Sequence, residues 1–201
     1  EIQMPLSQFP HGFADGLSVR GMPLLQMHPG EVFWVNNSTV LRGNQRAGAN
    51  GNAGTFLAPF ATLDYAVGRC TAGRGDIIFI GPGHAETVST AAFVALDVAG
   101  VAIVGLGAGT LRPTFSWSTA ASTMTVAANN VSIQNCLFIG TMATTFTVTA
   151  FSNANAVVAN DFDIENCEFQ DLDATHGFIA CYTGGTTANQ SDGLSFVGNK
   201  V

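Results

Sequence analysis

The sequence has little charge. Asp, Glu, Lys and Arg make up 10% of its 201 residues, against roughly 25% in an average soluble domain. Gly, Ala, Thr, Ser and Asn take their place. A surface so poor in charge predicts that much of the exterior is covered by association. Bases are scarcer than acids, 7 against 14, which leaves a net charge of −7. There is no basic cluster, and the single lysine is Lys200. Binding through phosphate neutralisation needs such a cluster, so nucleic acid is not expected as a partner.

Paired metal-ligand spacings are missing too. Cys70, Cys136, Cys167 and Cys181 show neither CxxC spacing nor a paired-histidine pattern, which argues against a metal site and for reduced thiols packed as small apolar residues. His11, His28, His84 and His176 have no metal-type spacing and read as loop or packing residues. No apolar run of membrane-spanning length and no signal-peptide core is present. No membrane and no cofactor is therefore expected. The chain opens Glu1-Ile2-Gln3 ahead of Met4 and closes at Val201 inside a β-like run, so the expectation is a piece of a longer polypeptide.

Residues 1–30 are short apolar steps broken by Pro and Gly, such as Phe9-Pro10-His11-Gly12 and Gly21-Met22-Pro23, with no sustained period of 2 or 3.6. Yet they carry Phe9, Phe13, Leu17, Met22, Leu24, Leu25 and Met27. A segment with that apolar load and no core of its own is expected to lie on a neighbour as an extended arm.

Residues 31–58 hold a strand, Glu31-Val32-Phe33-Trp34-Val35, and a Gly/Asn-rich loop from Arg42 to Pro59. Within 59–74, Leu63, Ala66, Val67 and Cys70 fall at i, i+3, i+4 and i+7, one face of a short helix, with Thr62 as its expected N-cap. From Gly75 onward the period becomes 2, beginning with Asp76-Ile77-Ile78-Phe79-Ile80, and no further helix is expected.

Those strands repeat. Val101-Ala102-Ile103-Val104-Gly105, Val131-Ser132-Ile133-Gln134-Asn135, Phe162-Asp163-Ile164-Glu165-Asn166 and Leu194-Ser195-Phe196-Val197-Gly198 share one pattern, with starts 30, 31 and 32 residues apart. Two continue as Asn-Cys-x-Phe, at 135–138 and 166–169. Near-constant spacing of this size marks a solenoid. Each coil would hold about three short strands. Val131 and Ile133 would point inward, Ser132 and Gln134 outward, and Asn135 would turn the corner and bond to its counterpart one coil away. Phe146 with Val148, and Met124 with Val126, supply further inward pairs. An open solenoid end exposes core and unpaired edges, so the 59–74 helix is assigned as an N-terminal cap. The fold expected over 75–201 is an all-β, right-handed, single-stranded parallel β-helix, with a short capping helix and an extended arm before it.

Two resemblances add to this. Pro59-Phe60-Ala61-Thr62-Leu63, then Gly75-Asp76-Ile77-Ile78-Phe79-Ile80-Gly81-Pro82-Gly83-His84-Ala85-Glu86, resembles the opening of right-handed β-helix proteins of the pectate-lyase-like class, as do the Asn-Cys-x-Phe corners. In the arm, Gln8-Phe9-Pro10-His11-Gly12-Phe13-Ala14, Val19-Arg20-Gly21-Met22-Pro23 and His28-Pro29-Gly30-Glu31-Val32-Phe33-Trp34-Val35 are similar to N-terminal segments of phage-encoded β-helix structural proteins. That second resemblance implies a virion structural protein, a capsid decoration, head spike or tail spike or fibre. It would be anchored by residues 1–30, form a homotrimer, and be placed on the particle surface after assembly in the bacterial cytoplasm. The implied partners are copies of itself, capsid or tail proteins and a host surface glycan.

Chemistry is sparse on this reading. Asp161, Asp163, Glu165, Glu168, Asp171 and Asp173 form the densest cluster. Asp161, Asp163 and Glu165 would project from one strand face about 6.5–7 Å apart, compatible with a Ca²⁺ site or an acid/base pair. A lyase also needs a cation nearby, and no Arg or Lys lies between Arg112 and Lys200. A solvated acidic face is therefore the expectation, with no catalytic residues and no enzymatic activity. Gly105-Leu106-Gly107-Ala108-Gly109 follows a strand, but no helix follows it, so it is not a dinucleotide fingerprint. The alternative function is a polysaccharide-degrading β-helix depolymerase, a lyase or glycoside hydrolase.

Overall fold

The computed structural model describes residues 30–41, 43–142, 148–153, 157–173, 177–186 and 189–201, together with the backbone of 17–19 and 22–24. Among the described residues the chain is a parallel β-solenoid with one short α-helix. Two strands of the arm, β1 (Leu17–Val19) and β2 (Met22–Leu24), pair antiparallel.

Among the described residues three parallel sheets form the solenoid walls. The first takes β3 (Val32–Val35), β4 (Ile77–Ile80), β7 (Ala102–Gly105), β10 (Val131–Gln134), β13 (Phe162–Glu165) and β16 (Ser195–Val197). The second takes β5 (Ala85–Val88), β8 (Thr114–Trp117), β11 (Leu137–Gly140) and β14 (Glu168–Asp171). The third takes β6 (Val94–Leu96), β9 (Met124–Val126), β12 (Val148–Asn153) and β15 (Phe178–Thr183). β3 belongs to the first sheet, pairing Trp34 with Phe79. The sheet therefore starts well before residue 75, and the loop after β3 conceals this because the Val32-to-Ile77 step does not share the later period.

The repeat is the register. Val131 pairs with Phe162, Ser132 with Asp163, Ile133 with Ile164 and Gln134 with Glu165. Inward residues stack on their equivalents: Ile78, Ile103, Ile133 and Ile164 are all fully buried. In the second sheet Phe115, Phe138 and Phe169 stack with ring centroids 5.9 and 5.0 Å apart. Met124, Val126 and Val148 also face in, while Phe146 lies outside the described residues. On the first sheet's exterior, one ladder reads Trp34, Phe79, Val104, Gln134, Glu165, Val197, and its neighbour reads Val32, Ile77, Ala102, Ser132, Asp163, Ser195.

Corners need left-handed backbone, which Asn, Asp and Gly adopt most readily. Asn130, Asp161 and Gly193 precede β10, β13 and β16 with φ of 56°, 56° and 72°. Asn135 and Asn166 follow β10 and β13 with φ of 54° and 50°. The Asn135 amide does not bond to another corner asparagine. Its Nδ2 donates to the carbonyls of Gly105 (2.8 Å) and Gly107 (3.0 Å) in the preceding coil. Gly105 must lack a side chain, since a Cβ there would meet the Asn135 carbonyl at 2.4 Å.

The cap is α1 (Leu63–Val67), which buries Leu63, Ala66 and Val67 against the start of the solenoid. Thr62 does not cap it by a side-chain bond. Its amide and that of Ala61 donate to Asn50 Oδ1, and the Leu63 amide donates to the buried Glu86 carboxylate (2.8 Å) from β5. A second tie is Asp76, whose side chain is fully buried. It accepts two bonds from Arg74 (2.7 and 2.8 Å) and the amides of Glu31 (2.8 Å) and Thr71 (2.7 Å).

Two outcomes follow from this architecture. Burying a side chain the size of Ile164 is worth roughly 1.5–3 kcal/mol, and an unpaired charge placed there costs more. Ile164→Asp should abolish cooperative folding by circular dichroism, whereas Asp163→Ser on the outer ladder should move stability by less than about 0.5 kcal/mol. The Arg74 bonds hold the Asp76 carboxyl below its ordinary range, helped by the Thr71 and Glu31 amides. The tie is therefore complete above about pH 4 and lost as pH falls through the lowered value. Asp76→Asn should lower Tm at neutral pH and reduce the loss of Tm on acidification, read by thermal melts across pH.

Candidate functional site

The acidic cluster that is contiguous in sequence is divided in space. Asp163 and Glu165 face outward on the first sheet, where Glu165 accepts a bond from Gln134 (2.9 Å). Asp161 occupies the corner before them. Asp171 caps the Phe178 amide (3.0 Å). Among the described residues no three Asp, Glu, His or Cys side chains gather closely enough to hold a metal ion. Asp161, Asp163 and Glu165 thus do not form the Ca²⁺ site that their spacing allowed. Asp161 sits at the corner, off the strand, and Glu165 is held by the Gln134 bond.

Glu168 stands apart, one corner further on and on the second sheet. The sequence gap between Arg112 and Lys200 closes here. Arg112 Nη1 donates to Glu168 Oε2 (3.1 Å), and Lys200 Nζ donates to Oε1 (2.6 Å), as does Gln170 Nε2 (2.7 Å). Lys200 lies one coil beyond, beside Glu168 in a parallel bridge. Arg112 enters from the other side, just before β8, after a single 3-10 turn at Gly109–Leu111. Leu137, between them on β11, pairs with both Thr114 and Glu168. The guanidinium crosses this rung to reach its acid. Arg112 Nε is buried without a hydrogen-bond partner. Gly109, Thr110, Arg112, Leu137, Glu168 and Gln170 line a groove of about 290 Å³.

The electrostatics follow from the contacts. Lys200 and Gln170 bonding, with Arg112 nearby, hold the Glu168 carboxyl below its ordinary value against its desolvation. Two cations and one anion leave a local positive excess in a chain whose net charge is −7. Such a place attracts a carboxylate.

Other chemistry-bearing residues are structural. Asn37 donates its amide to His84 Nδ1 (3.1 Å), which leaves Nε2 to donate to Glu86 Oε1 (2.7 Å). Both side chains are sealed from solvent, so this pair anchors the cap. The His-x-Glu alternation at the start of β5, His84 and Glu86, was its signal in the sequence. The four cysteines are free, as expected. Cys136 and Cys167 stack in adjacent coils, and the bond to Cys167 together with burial pushes the Cys136 thiol well up. Of the arm residues, Leu17, Met22 and Leu24 lie on β1 and β2, while Phe9, Phe13, Leu25 and Met27 fall outside the described residues.

No family model matches the sequence and no curated protein matches it. A solved structure described as a rhamnogalacturonan lyase is similar, with a TM-score of 0.53 and 17% sequence identity, over 85% of this chain and 51% of that one. This chain spans about half the length of that lyase. At such identity the likeness establishes a shared parallel β-helix fold. The expectation of a chain without enzymatic activity does not stand against it. The fold is shared with a polysaccharide-cleaving enzyme, and the missing cation, which was the ground for that expectation, is supplied twice over at Glu168.

The contacts at Glu168 give a measurable consequence. Its carboxyl should titrate below an ordinary glutamate in a ¹³C-detected NMR titration, and Lys200→Ala or Arg112→Ala should each raise it toward the usual value. An unshifted Glu168 would mean that the cluster does not form in solution.

Proposed function

We propose that this chain is the β-helix module of a polysaccharide-degrading enzyme, a lyase acting on uronate-containing chains at the Arg112–Glu168–Lys200 groove. The observation that carries this reading is the convergence of two cations on one carboxylate beside an open groove. The sequence puts a structural virion role first and a depolymerase second. The groove and the lyase-type fold reverse that order. Attachment to a phage particle through residues 1–30 and trimerisation are compatible with the same proposal, and neither alters the chemistry of the groove.

Elimination suits the groove better than hydrolysis. Glycoside hydrolysis uses two carboxyl groups about 5–9.5 Å apart, and the groove lining carries one, Glu168. Elimination needs a uronate carboxylate to be neutralised, so that the proton on the adjacent carbon becomes acidic. That proton then leaves to a base, a C=C bond forms, and the glycosidic C–O bond breaks, its electron pair leaving on an oxygen that takes a proton from solvent water. Arg112 is the group for the first task, since a guanidinium grips a carboxylate with two donors and its side chain is partly exposed in the groove lining. As the substrate carboxylate takes Arg112, Glu168 loses one of its two cations and becomes a stronger base. Lys200 and Gln170 keep it oriented. Substrate binding thereby activates the acceptor.

The test is release of unsaturated sugar ends, followed by ultraviolet absorbance, from a panel of uronate polysaccharides that begins with rhamnogalacturonan. Arg112→Ala and Glu168→Gln should each lower the rate by at least about a hundredfold, the scale of a lost acid/base or charge-stabilising group. Absence of unsaturated ends across the whole panel would overturn the lyase reading.

A further inference from the structure

The first sheet carries, on its exterior, a feature that the groove does not use. Its first three rungs present only apolar side chains outward, with Trp34, Phe79 and Val104 in one ladder. Trp34 sits 5.1 Å from the Phe79 ring and 5.0 Å, edge on, from Phe56 in the loop after β3. Phe56 is 42% exposed and Val32, at the same edge, 46%. The ladder then changes character. Its next rungs are Gln134 and Glu165, joined by a hydrogen bond of 2.9 Å.

We infer that this ladder is a second carbohydrate-binding site, separate from the groove, which holds a neutral glycan along the solenoid axis. The aromatic rungs offer flat apolar faces for the C–H face of a pyranose, and Gln134 and Glu165 offer an amide and a carboxylate for its hydroxyls. The rung spacing, about 4.8 Å, is comparable to the length of one sugar unit, so successive rings meet successive rungs. The outward positions of this sheet hold two acids, Asp163 and Glu165, and no Arg or Lys among the described residues. A uronate would be repelled there, and a neutral sugar would not. The apolar part is two residues wide and three rungs tall, on the order of 100–200 Å² at standard spacings. A stable dimer buries about 800 Å² per partner, so the patch suits a ring-sized ligand better than a second copy of the chain. The inference rests on the polysaccharide reading for its choice of ligand alone.

The two tryptophans make it testable without cleavage. Trp117 is fully buried and Trp34 partly exposed, so acrylamide quenching of the whole chain reports Trp34. Short neutral galacto-, gluco- and rhamno-oligosaccharides should shield Trp34 saturably, and uronate oligosaccharides should do so at least about tenfold more weakly. Trp34→Ala, followed by calorimetry, should weaken neutral-glycan binding by at least about tenfold, the loss typical of a central aromatic contact. Glu165→Ala, on the exterior and away from the core, should weaken it severalfold and guards against misfolding of the first variant. Arg112→Ala should leave shielding unchanged, and Trp34→Ala should leave release of unsaturated ends unchanged, so failure of either site is read separately. Absence of shielding by every neutral sugar, or binding retained in both Trp34→Ala and Glu165→Ala, overturns the inference. So does self-association, seen by light scattering, that Trp34→Ala abolishes, since the patch would then belong to a second copy.

Discussion

Strand pairing in register between successive coils, kept without offset in the first and second sheets and broken by one bulge at Val148/Thr149 in the third, is the constraint on which everything else here depends. A parallel ladder satisfies the backbone of each strand only if the next coil returns to the same height, and a slip of one residue would turn every core side chain outward. Val131, Ser132, Ile133 and Gln134 match Phe162, Asp163, Ile164 and Glu165 without offset. The isoleucine column and the phenylalanine column are therefore continuous, and each coil supplies the apolar surface that its neighbour needs. The corners keep the register. They do so through left-handed Asn, Asp and Gly, and through the Asn135 amide, which binds the carbonyls of the coil before it.

Much of this could be read from spacing. Starts at 101, 131, 162 and 194 give the coil length, and alternation assigns Ile133 and Ile164 to the inside. The helix was visible through Leu63, Ala66 and Val67, but its tie was not. Thr62 looked like a cap, whereas the bond to the Leu63 amide comes from Glu86, more than twenty residues on. Periodicity shows which way a side chain faces. It does not show which distant group will meet it.

The Glu168 cluster was hidden for a related reason. Distance along the chain is a poor guide to distance in a solenoid, where residues one or two coils apart are neighbours. Arg112 and Lys200 lie on opposite sides of a long stretch without bases, yet both reach Glu168. Counting by coils would have brought them close, with Lys200 one coil after Glu168 and Arg112 two rungs before it. The acids that cluster in sequence, by contrast, were parted by the corner at Asn166. One turn of backbone sends Glu165 to one wall and Glu168 to another.

A groove assembled from several coils ties its geometry to the number of coils between its parts. Arg112 spans the rung of Leu137 to reach Glu168. Insertion of one whole repeat between β8 and β14 would extend the core smoothly and disturb no corner. The guanidinium would nevertheless be left a further rung, about 4.8 Å, from its acid. Repeats added after Lys200 would leave the groove untouched. Descendants of such a chain can therefore grow freely at one end, while the span from Arg112 to Lys200 is fixed in length as long as the groove is kept.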